Sequence, residues 1–264
     1  MGVLNITPDS FSDGGSLYVD CRVDLARVCA TAEQMIANGA SVLDIGGEST
    51  RPGAQPVSLT EELDRVVPVL EALAGIDVVL SVDTRHAQVA AASIAAGAHI
   101  INDVSAGGDP QMWPTIAASD VGYVMMHMQG SPATMQEAPV YTSVVNEVSG
   151  YLKQRFTGAL EAGIDAQRLM LDPGFGFGKT LQHNLQLLHG LSEVKIADVP
   201  LLVGLSRKSM LGALTGKAVQ ERMVASVAAA LIAVQRGADM VRVHDVDATQ
   251  DAFKLFTAVQ QISE

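Results

Sequence analysis

Short apolar runs and longer segments of helical periodicity alternate along the whole chain. The runs are nearly continuous in aliphatic side chains, as expected for parallel strands that are covered on both faces. They predict strands at residues 1–5, 41–45, 78–82, 99–101, 122–126, 169–171, 201–205 and 240–243. The periodic segments predict helices at residues 23–36, 61–74, 85–96, 111–118, 143–162, 181–196, 219–235 and 248–262.

Eight strand–helix units favour a TIM (β/α)8 barrel, an α/β fold, over a doubly wound open sheet, which usually has fewer units. Glycines of the kind that end helices recur before strands, at Gly39, Gly97, Gly163 and Gly237. No linker or change of composition divides the chain, so we expect a single domain over residues 1–264. Two polar segments, residues 6–20 and 46–60, are predicted to be long loops.

Charge and composition narrow the classes of function. The net charge of −12 argues against nucleic acid or an anionic membrane as a partner, because both require basic surfaces. The sequence shows neither a signal peptide nor an apolar stretch that could cross a bilayer, and its two cysteines are expected to be free thiols. These features predict a cytoplasmic protein, in which an anionic substrate would need a local cationic pocket.

Polar residues follow almost every predicted strand directly. The active site of a TIM barrel lies at the carboxyl ends of its strands, so these side chains are expected to share one site. They include Asn5, Asp44, Ser81, Asp83, Asn102, Asp103, His127, Asp172, Ser206, Lys208, Arg242 and His244. Asp and Asn dominate this set, whereas Lys, Glu and Ser would be expected at strand ends that merely face water.

The candidate side chains fall into two chemical groups. Asp83, Asn102 and Asp172 offer carboxylate acceptors and one amide, which suit a flat, nitrogen-rich heterocycle. The cationic group, in which an arginine fork beside an imidazole suits a phosphate or diphosphate, comprises Arg51, Lys208, Arg242 and His244. Ser209 is expected at a helix start, where backbone N–H groups bind anions such as a carboxylate. A plain N-cap serine is the alternative interpretation of Ser209.

The types and spacing of the candidate ligands limit the possible metals. No zinc-type spacing of His or Cys is present, so any metal is expected to have oxygen ligands. Mg²⁺ held by phosphate oxygens and one protein oxygen would fit this pattern. Nothing in the sequence resembles the nucleophile elbow of a serine hydrolase.

The segment from Asp172 to Thr180 comes close to a phosphate-binding P-loop, whose motif is G-x-x-x-x-G-K-[ST]. Gly178, Lys179 and Thr180 match the end of this motif. Pro173 occupies the position of the first glycine, and proline has neither a backbone N–H nor a free φ angle. A P-loop is therefore disfavoured, and the segment is interpreted as a glycine-rich turn that lies close to a flat ligand.

Eight motifs resemble, in order, those of the dihydropteroate synthase family, and they cover essentially the whole chain. The longest are NITPDSFSDGG at residues 5–15, DIGGESTRPG at 44–53 and DPGFGFGK at 172–179. The others lie at residues 81–84, 101–103, 126–130, 206–209 and 242–245. The resemblance implies a TIM-barrel transferase of folate biosynthesis and a sulfonamide target. Such enzymes join 4-aminobenzoate to (7,8-dihydropterin-6-yl)methyl diphosphate, giving 7,8-dihydropteroate and diphosphate.

The resemblance also implies a role for each matching residue. The implied pterin contacts are Asp83, Asn102, Asp172 and Lys208. The implied diphosphate contacts are Thr50, Arg242 and His244, with Asn5 as the ligand of Mg²⁺. The implied aminobenzoate contacts are Phe11, Arg51, Pro52, Phe177, Ser206 and Ser209. The residues expected to matter most for catalysis are Asp83, Lys208, Arg242 and His244.

Family members are usually homodimers, and residues 223–234 and 253–259 are candidate surfaces for a partner copy. The two long loops are expected to act as lids over the bound substrates. The family usually carries an N-terminal β-hairpin before the first strand, and we expect a barrel that lacks this hairpin.

Two other functions would use the same two acids and amide, Asp83, Asp172 and Asn102, as the floor beneath a heterocycle. One is a methyltransferase domain that moves a methyl group from methyltetrahydrofolate to a corrinoid, and the other is a non-catalytic pterin-binding barrel. Neither function requires the motifs at residues 50–52 and 206–209, and a pure binder has no use for a diphosphate clamp. The sequence therefore favours the transferase over both alternatives.

Overall fold

The structure is a computed structural model that describes residues 1–7, 17–19, 22–49, 57–130 and 134–262. Six parallel strands form the main sheet, in the order β1 (Gly2–Asn5), β4 (Val42–Gly46), β5 (Val79–Asp83), β6 (Ile100–Asp103), β7 (Gly122–Met126) and β8 (Leu169–Asp172). Two further parallel strands pair with each other, β9 (Leu202–Val203) and β10 (Met240–Val241). A short antiparallel pair interrupts the first predicted loop, β2 (Tyr18–Val19) and β3 (Arg22–Val23).

Backbone pairing at two seams closes the eight parallel strands into a barrel. At the first seam, beside β8 and β9, Leu171 pairs with Leu201. At the second seam, beside β10 and β1, Gly2 pairs with Val243, and the N–H of Val3 donates to the carbonyl of Val243 over 3.0 Å. The TIM barrel predicted from the sequence is therefore confirmed, and its strand order follows the chain order.

Helices follow the barrel strands and cover the sheet. They are α1 (Leu25–Ala37), α2 (Leu59–Ala72), α3 (Ala87–Ala95), α4 (Met112–Ala117), α5 (Val144–Glu161), α6 (Leu181–His189), α7 (Leu191–Val194), α8 (Ser209–Thr215), α9 (Met223–Gln235) and α10 (Val246–Gln260). The side chains of Asp24 and Ser58 cap α1 and α2 by accepting the N–H three residues further on. None of the helices in the described ranges has the length and apolar character needed to cross a membrane.

Several elements differ in extent from the sequence-based prediction. The helix predicted at residues 181–196 is divided into α6 and α7 at Gly190, where a Cβ would lie 2.9 Å from Val145 of α5. The helix predicted at 219–235 begins only at Met223, after the separate helix α8 and a 3₁₀ turn. The strands predicted at 201–205 and 240–243 are each reduced to two residues, and the N–H of Leu201 donates to the carboxylate of Asp239 over 2.8 Å.

Candidate active site

A buried carboxylate in β4, that of Asp44, connects three strands near the carboxyl end of the barrel. One oxygen accepts a hydrogen bond of 2.5 Å from the hydroxyl of Ser81. The other accepts from the amide of Asn102 over 3.2 Å and from Nε of Arg242 over 2.6 Å. A buried carboxylate requires such hydrogen-bond donors, and these contacts in turn fix the orientation of Asn102 and Arg242.

Arg242 also reaches a second buried carboxylate, that of Asp83 at the end of β5. One terminal guanidinium nitrogen donates to Asp83 over 3.1 Å. Burial raises the pKa of Asp83 to about 7, and the nearby charge of Asp44 adds to this rise, while Arg242 opposes it. Burial alone would lower the pKa of Arg242, but the two carboxylates outweigh that effect and raise it. Arg242 therefore joins the predicted pterin contacts to the predicted diphosphate contacts.

The end of β8 supplies Asp172, the second acid of the predicted heterocycle floor. Asp172 is buried and accepts a hydrogen bond of 2.7 Å from the N–H of Gly174. Burial raises its pKa, and the ammonium of Lys208 is the largest opposing influence. Lys208 donates to the carbonyl of Phe175, lies 4.8 Å from the ring centre of Phe177, and has its pKa lowered by burial to about 8. The ammonium of Lys208 thus lies near the carboxylate of Asp172 and beside the ring of Phe177.

Asn5 ends β1 beside the same cluster. It is half-buried, and the neighbouring strand ends in Gly46, whose missing side chain leaves space here. A Cβ on Gly46 would lie 3.7 Å from Oδ1 of Asn5 and 3.8 Å from Cβ of Asp83. An amide oxygen and a carboxylate therefore border one gap at the carboxyl ends of three adjacent strands.

The loops after β9 and β10 are tied together by two side-chain contacts. The hydroxyl of Ser206 accepts from the N–H of His244 over 3.1 Å and lies 3.0 Å from its Nδ1. The guanidinium of Arg207 donates twice to the carboxylate of Asp245, over 3.1 and 2.5 Å. These contacts hold Ser209, the exposed first residue of α8, in a fixed relation to His244.

Arg207 adopts a left-handed backbone conformation, with a φ of +57°. For a residue with a side chain this conformation costs about 1–2 kcal/mol, so other contacts must hold it in place. The N–H of Arg207 donates to the hydroxyl of Ser226 over 2.9 Å, and Arg222 donates to its carbonyl over 3.1 Å. These two hydrogen bonds therefore hold the turn that places Lys208 in the site.

A second polar cluster lies beside β5 and could be mistaken for a metal centre. Glu48, Glu62 and His86 bring three potential ligand atoms within 4.8 Å of one another. Arg85 donates to both oxygens of Glu48, over 2.9 and 3.1 Å. Glu62 accepts from Thr84 over 2.7 Å and pairs with His86 over 2.7 Å. All four carboxylate oxygens are thus engaged within the protein, and the cluster fastens α2 and α3 to β5.

The structure brings together most of the residues singled out from the sequence. Asp83 accepts a hydrogen bond from Arg242, and Asn102 is connected to Arg242 through Asp44. Asp172 and Phe177 lie near Lys208, and Asn5 lies near Asp83. His244 and Ser206 contact each other in the loops after β10 and β9. Four predicted contacts lie outside the described residues, Phe11, Thr50, Arg51 and Pro52. The position of Asp44 at a strand end does not reveal its role in the sequence, and no sequence signal identifies Arg207 as a support.

A closed TIM barrel with buried acids, an amide and a lysine at its strand ends defines a class of heterocycle-binding barrels. The chain belongs to the pterin binding enzyme family, whose sequence profile matches residues 1–244. It is 47% identical to dihydropteroate synthase from Escherichia coli (strain K12), over 100% of this chain and 92% of that protein.

Solved structures give the same result. Dihydropteroate synthase from Xanthomonas albilineans, with 4-aminobenzoic acid, has a TM-score of 0.91 and 47% identity, over 99% of this chain and 93% of that one. The Burkholderia cenocepacia enzyme, complexed with 7,8-dihydropteroate, has a TM-score of 0.88 and 46% identity, over 98% of this chain and 90% of that one. Full-length likeness at this identity confirms the family suggested by the motifs.

Proposed function

We propose that this chain is a dihydropteroate synthase, which joins 4-aminobenzoate to (7,8-dihydropterin-6-yl)methyl diphosphate and releases 7,8-dihydropteroate and diphosphate. The observation that carries this function is the cluster in which Arg242 connects the acid–amide floor to the cationic side of the site. The relatives support it, because dihydropteroate synthases of nearly the same length hold 4-aminobenzoic acid and 7,8-dihydropteroate.

The pterin ring would bind across the floor formed by Asp83, Asn102 and Asp172. These side chains offer acceptors for the ring's N–H groups and one amide donor for its carbonyl oxygen. All three are buried, so water competes little for these hydrogen bonds. Lys208 would donate to a ring acceptor while its stem lies against Phe177.

The diphosphate would bind on the cationic side, at Arg242 and His244, with Thr50 from the loop after β4. Mg²⁺ would bind here, because the amide oxygen of Asn5 lies at the strand ends beside Gly46 and Asp83 and oxygen is the ligand that Mg²⁺ prefers. When bound, the ion would neutralise charge on the departing diphosphate.

The aminobenzoate would bind above the pterin, with its carboxylate at the start of α8. Ser209 is exposed there, and Lys208, the residue before it, does not cap the helix with its side chain. Phe177 would form one wall, and Phe11, Arg51 and Pro52 are proposed for the others. Ser206 would act chiefly through His244, since its hydroxyl is directed to that residue.

The reaction needs no protein nucleophile. The bond between the pterin methylene and the diphosphate oxygen breaks, and the electron pair leaves with diphosphate, aided by Arg242 and His244. The electron-rich ring and the carboxylate of Asp83 stabilise the resulting methylene cation. The neutral amine of aminobenzoate then attacks this carbon, and the new ammonium loses a proton to water. Lys208 and Asn102 hold the ring in place throughout.

We also propose that the protein is a homodimer. Helices α9 and α10 pack against each other and expose large apolar side chains, which include Val224, Ile232, Leu255 and Val259. Val224 is 75% exposed and Leu255 is 69% exposed, which is unusual for aliphatic side chains on adjacent helices. A second copy would cover this surface.

Product identification tests the proposed function directly. Purified protein, Mg²⁺, 4-aminobenzoate and the pterin diphosphate should give 7,8-dihydropteroate, detected by mass spectrometry. Methyl transfer from methyltetrahydrofolate to a corrinoid, without dihydropteroate formation, would favour the methyltransferase alternative. Tight pterin binding without any turnover would favour the non-catalytic barrel.

A further inference from the structure

Lys179 is the lysine that completes the near-match to a P-loop, and the structure gives it a different environment. Its side chain is almost completely buried, with 3% of the residue exposed. The ammonium lies 2.8 Å from the carbonyl of Gly174, 3.0 Å from the carbonyl of Phe177 and 2.9 Å from Nδ1 of His127. Three donors thus meet three uncharged acceptors of the protein, so Lys179 does not act as a phosphate-binding lysine.

His127, at the end of β7, is the fixed point to which Lys179 is attached. The imidazole is buried and packs edge-on against Tyr151, with ring centres 4.9 Å apart. Burial, together with the charge of Lys179, lowers the pKa of His127 to about 3, so the ring is neutral near pH 7 and Nδ1 can accept a hydrogen bond. Tyr141, the other ring near His127, donates to the carbonyl of Gly178 over 2.9 Å.

The backbone of residues 173–179 lies directly on this end of β7. Gly174 has a φ of +66°, and a Cβ there would lie 1.9 Å from the carbonyl oxygen of His127. Gly178 has a φ of +60°, and its Cβ would lie 2.4 Å from the carbonyl oxygen of Gln129. The loop thus packs too closely on this strand end for a side chain at either glycine, and Lys179 binds both halves of the loop from its buried side.

The opposite side of the loop carries groups that face the proposed substrates. The N–H of Gly174 donates to the carboxylate of Asp172, the carbonyl of Phe175 accepts from Lys208, and the ring of Phe177 lies 4.8 Å from that ammonium. Gly174 and Phe177 are the residues whose carbonyls Lys179 holds. The contacts of Lys179 on the buried side of the loop therefore help to set the positions of the groups on its other side.

We propose that Lys179 is a positioning residue that holds Asp172 and Phe177 in register, and so sets the affinity of the site for both substrates. This inference rests on the proposed function, because it assigns Asp172 to the pterin and Phe177 to the aminobenzoate. Lys179 touches neither substrate. Its effect passes through the backbone of the loop and through its charge.

Burial lowers the pKa of Lys179 to about 7, so its ammonium is fully charged on the acid side of neutrality, where it also acts on Asp172. The groups that influence this carboxyl are its own burial, which raises its pKa, and Lys208, the N–H of Gly174, Lys179 and Arg242, which lower it. Loss of Lys179 removes one cation and loosens the N–H of Gly174, and both changes raise the pKa of Asp172. A higher pKa makes the acid form persist to higher pH, and the acid is a weaker acceptor for the N–H groups of the pterin than the carboxylate is.

The test compares Lys179→Met with Lys195→Met, a control that removes the same charge from a surface pair with Asp239. In Lys179→Met, KM should rise for both substrates, and kcat/KM for the pterin diphosphate should fall by about tenfold or more. The acid limb of its pH profile should move to higher pH. Lys195→Met should match the wild type in both respects.

Lys179→Arg keeps the charge, but a planar fork cannot direct three donors at the same three acceptors. It should raise both KM values several-fold while leaving the acid limb near its wild-type position. Should Lys179→Met fail to fold, this variant decides alone. Wild-type KM values in a folded Lys179→Arg or Lys179→Met, or a lowered Tm without any kinetic change, would overturn the inference. An inactive wild-type protein would instead overturn the proposed function.

Discussion

The side chain of Asp83 illustrates a conflict between stability and activity at a single residue. Its pKa is raised by burial from 3.8 to about 7, so the folded state holds this proton more tightly than the unfolded state does. The free energy of unfolding therefore falls as pH rises from about 4 to about 7 and loses nothing further from this group at higher pH. The ionised form that we propose for catalysis is thus the less stable form.

Asp83→Asn should separate the two effects. The variant keeps the shape of the protonated side chain but cannot become negative, so dihydropteroate formation should fall by at least about a hundredfold. Its Tm should equal or exceed that of the wild type at pH 8, and this advantage should shrink as pH falls toward 4. Thermal melts at several pH values check this. A lower Tm at pH 8 with retained activity would contradict the account.

Individual site residues differ in how far the sequence could predict them. Asp83, Asn102 and Asp172 each follow an apolar run directly, and strand ends are where a TIM barrel places its site. The pairing of Asp44 with Arg242 could not be predicted, because the two lie 198 positions apart and meet only when the barrel closes. The sequence disfavours a phosphate-binding role for Lys179, but it does not show that the acceptors of Lys179 are His127 and two backbone carbonyls of its own loop.

At the scale of elements, the loop after β8 should be intolerant of any side chain at Gly174. Gly174→Ala places a Cβ against the carbonyl oxygen of His127, whereas Gly216, with a similar φ of +70°, has nothing within 4 Å. Gly216→Ala should therefore cost only the left-handed conformation, about 1–2 kcal/mol. Gly174→Ala should cost about 1–3 kcal/mol more and weaken pterin binding. Denaturant unfolding and ligand titration of the two variants test this, and equal losses would contradict it.

The clamp between the loops after β9 and β10 gives a second prediction at this scale. Arg207→Lys keeps the charge but loses the paired hydrogen bonds to Asp245, which should lower stability by about 1–2 kcal/mol. KM for aminobenzoate should rise several-fold, because the start of α8 is then held less firmly. Arg27→Lys, in an exposed pair with Asp24, is the matched control and should change neither quantity. Unchanged steady-state kinetics in Arg207→Lys would exclude this role.

The order and type of most elements could be predicted, but their exact limits could not. Strand β7 has the predicted limits, because Gly122 and the polar residue after Met126 mark both ends. The division between α6 and α7 depends on close packing of Gly190 against Val145, a contact with another helix. The short extent of β9 carries no sequence signal, and Leu201 just before it donates its N–H to the side chain of Asp239, which is 38 positions away.

For the whole molecule, eight strand–helix units sufficed to predict the barrel, since repeated units of this kind have few ways to bury both faces of a parallel sheet. The residues that close it, such as Leu201 and Val243, carry no signal of their own. The single-domain organisation and the cytoplasmic location stay predictions, as do the roles of the loop residues Phe11, Thr50, Arg51 and Pro52.

Negative charge placed on the proposed dimer surface tests whether a second copy packs there. Leu255→Glu combined with Val259→Glu places two carboxylates on the exposed face of α10, where a second copy is proposed to pack. Light scattering should show a dimer for the wild type and a monomer for the variant. Val140→Glu, at a side chain that is 73% exposed in the loop before α5, is the control and should stay dimeric. A monomeric wild type, or a variant that stays dimeric, would contradict this surface.

We propose that one site at the carboxyl ends of the strands joins the two substrates and releases diphosphate. The most direct measurement is diphosphate release at fixed pterin diphosphate and rising 4-aminobenzoate, for the wild type and for Lys208→Ala. We predict saturable release with one diphosphate per dihydropteroate, and a rate at least about a hundredfold lower in a folded Lys208→Ala protein. Release that does not depend on aminobenzoate, or a wild-type rate in Lys208→Ala, would contradict the account.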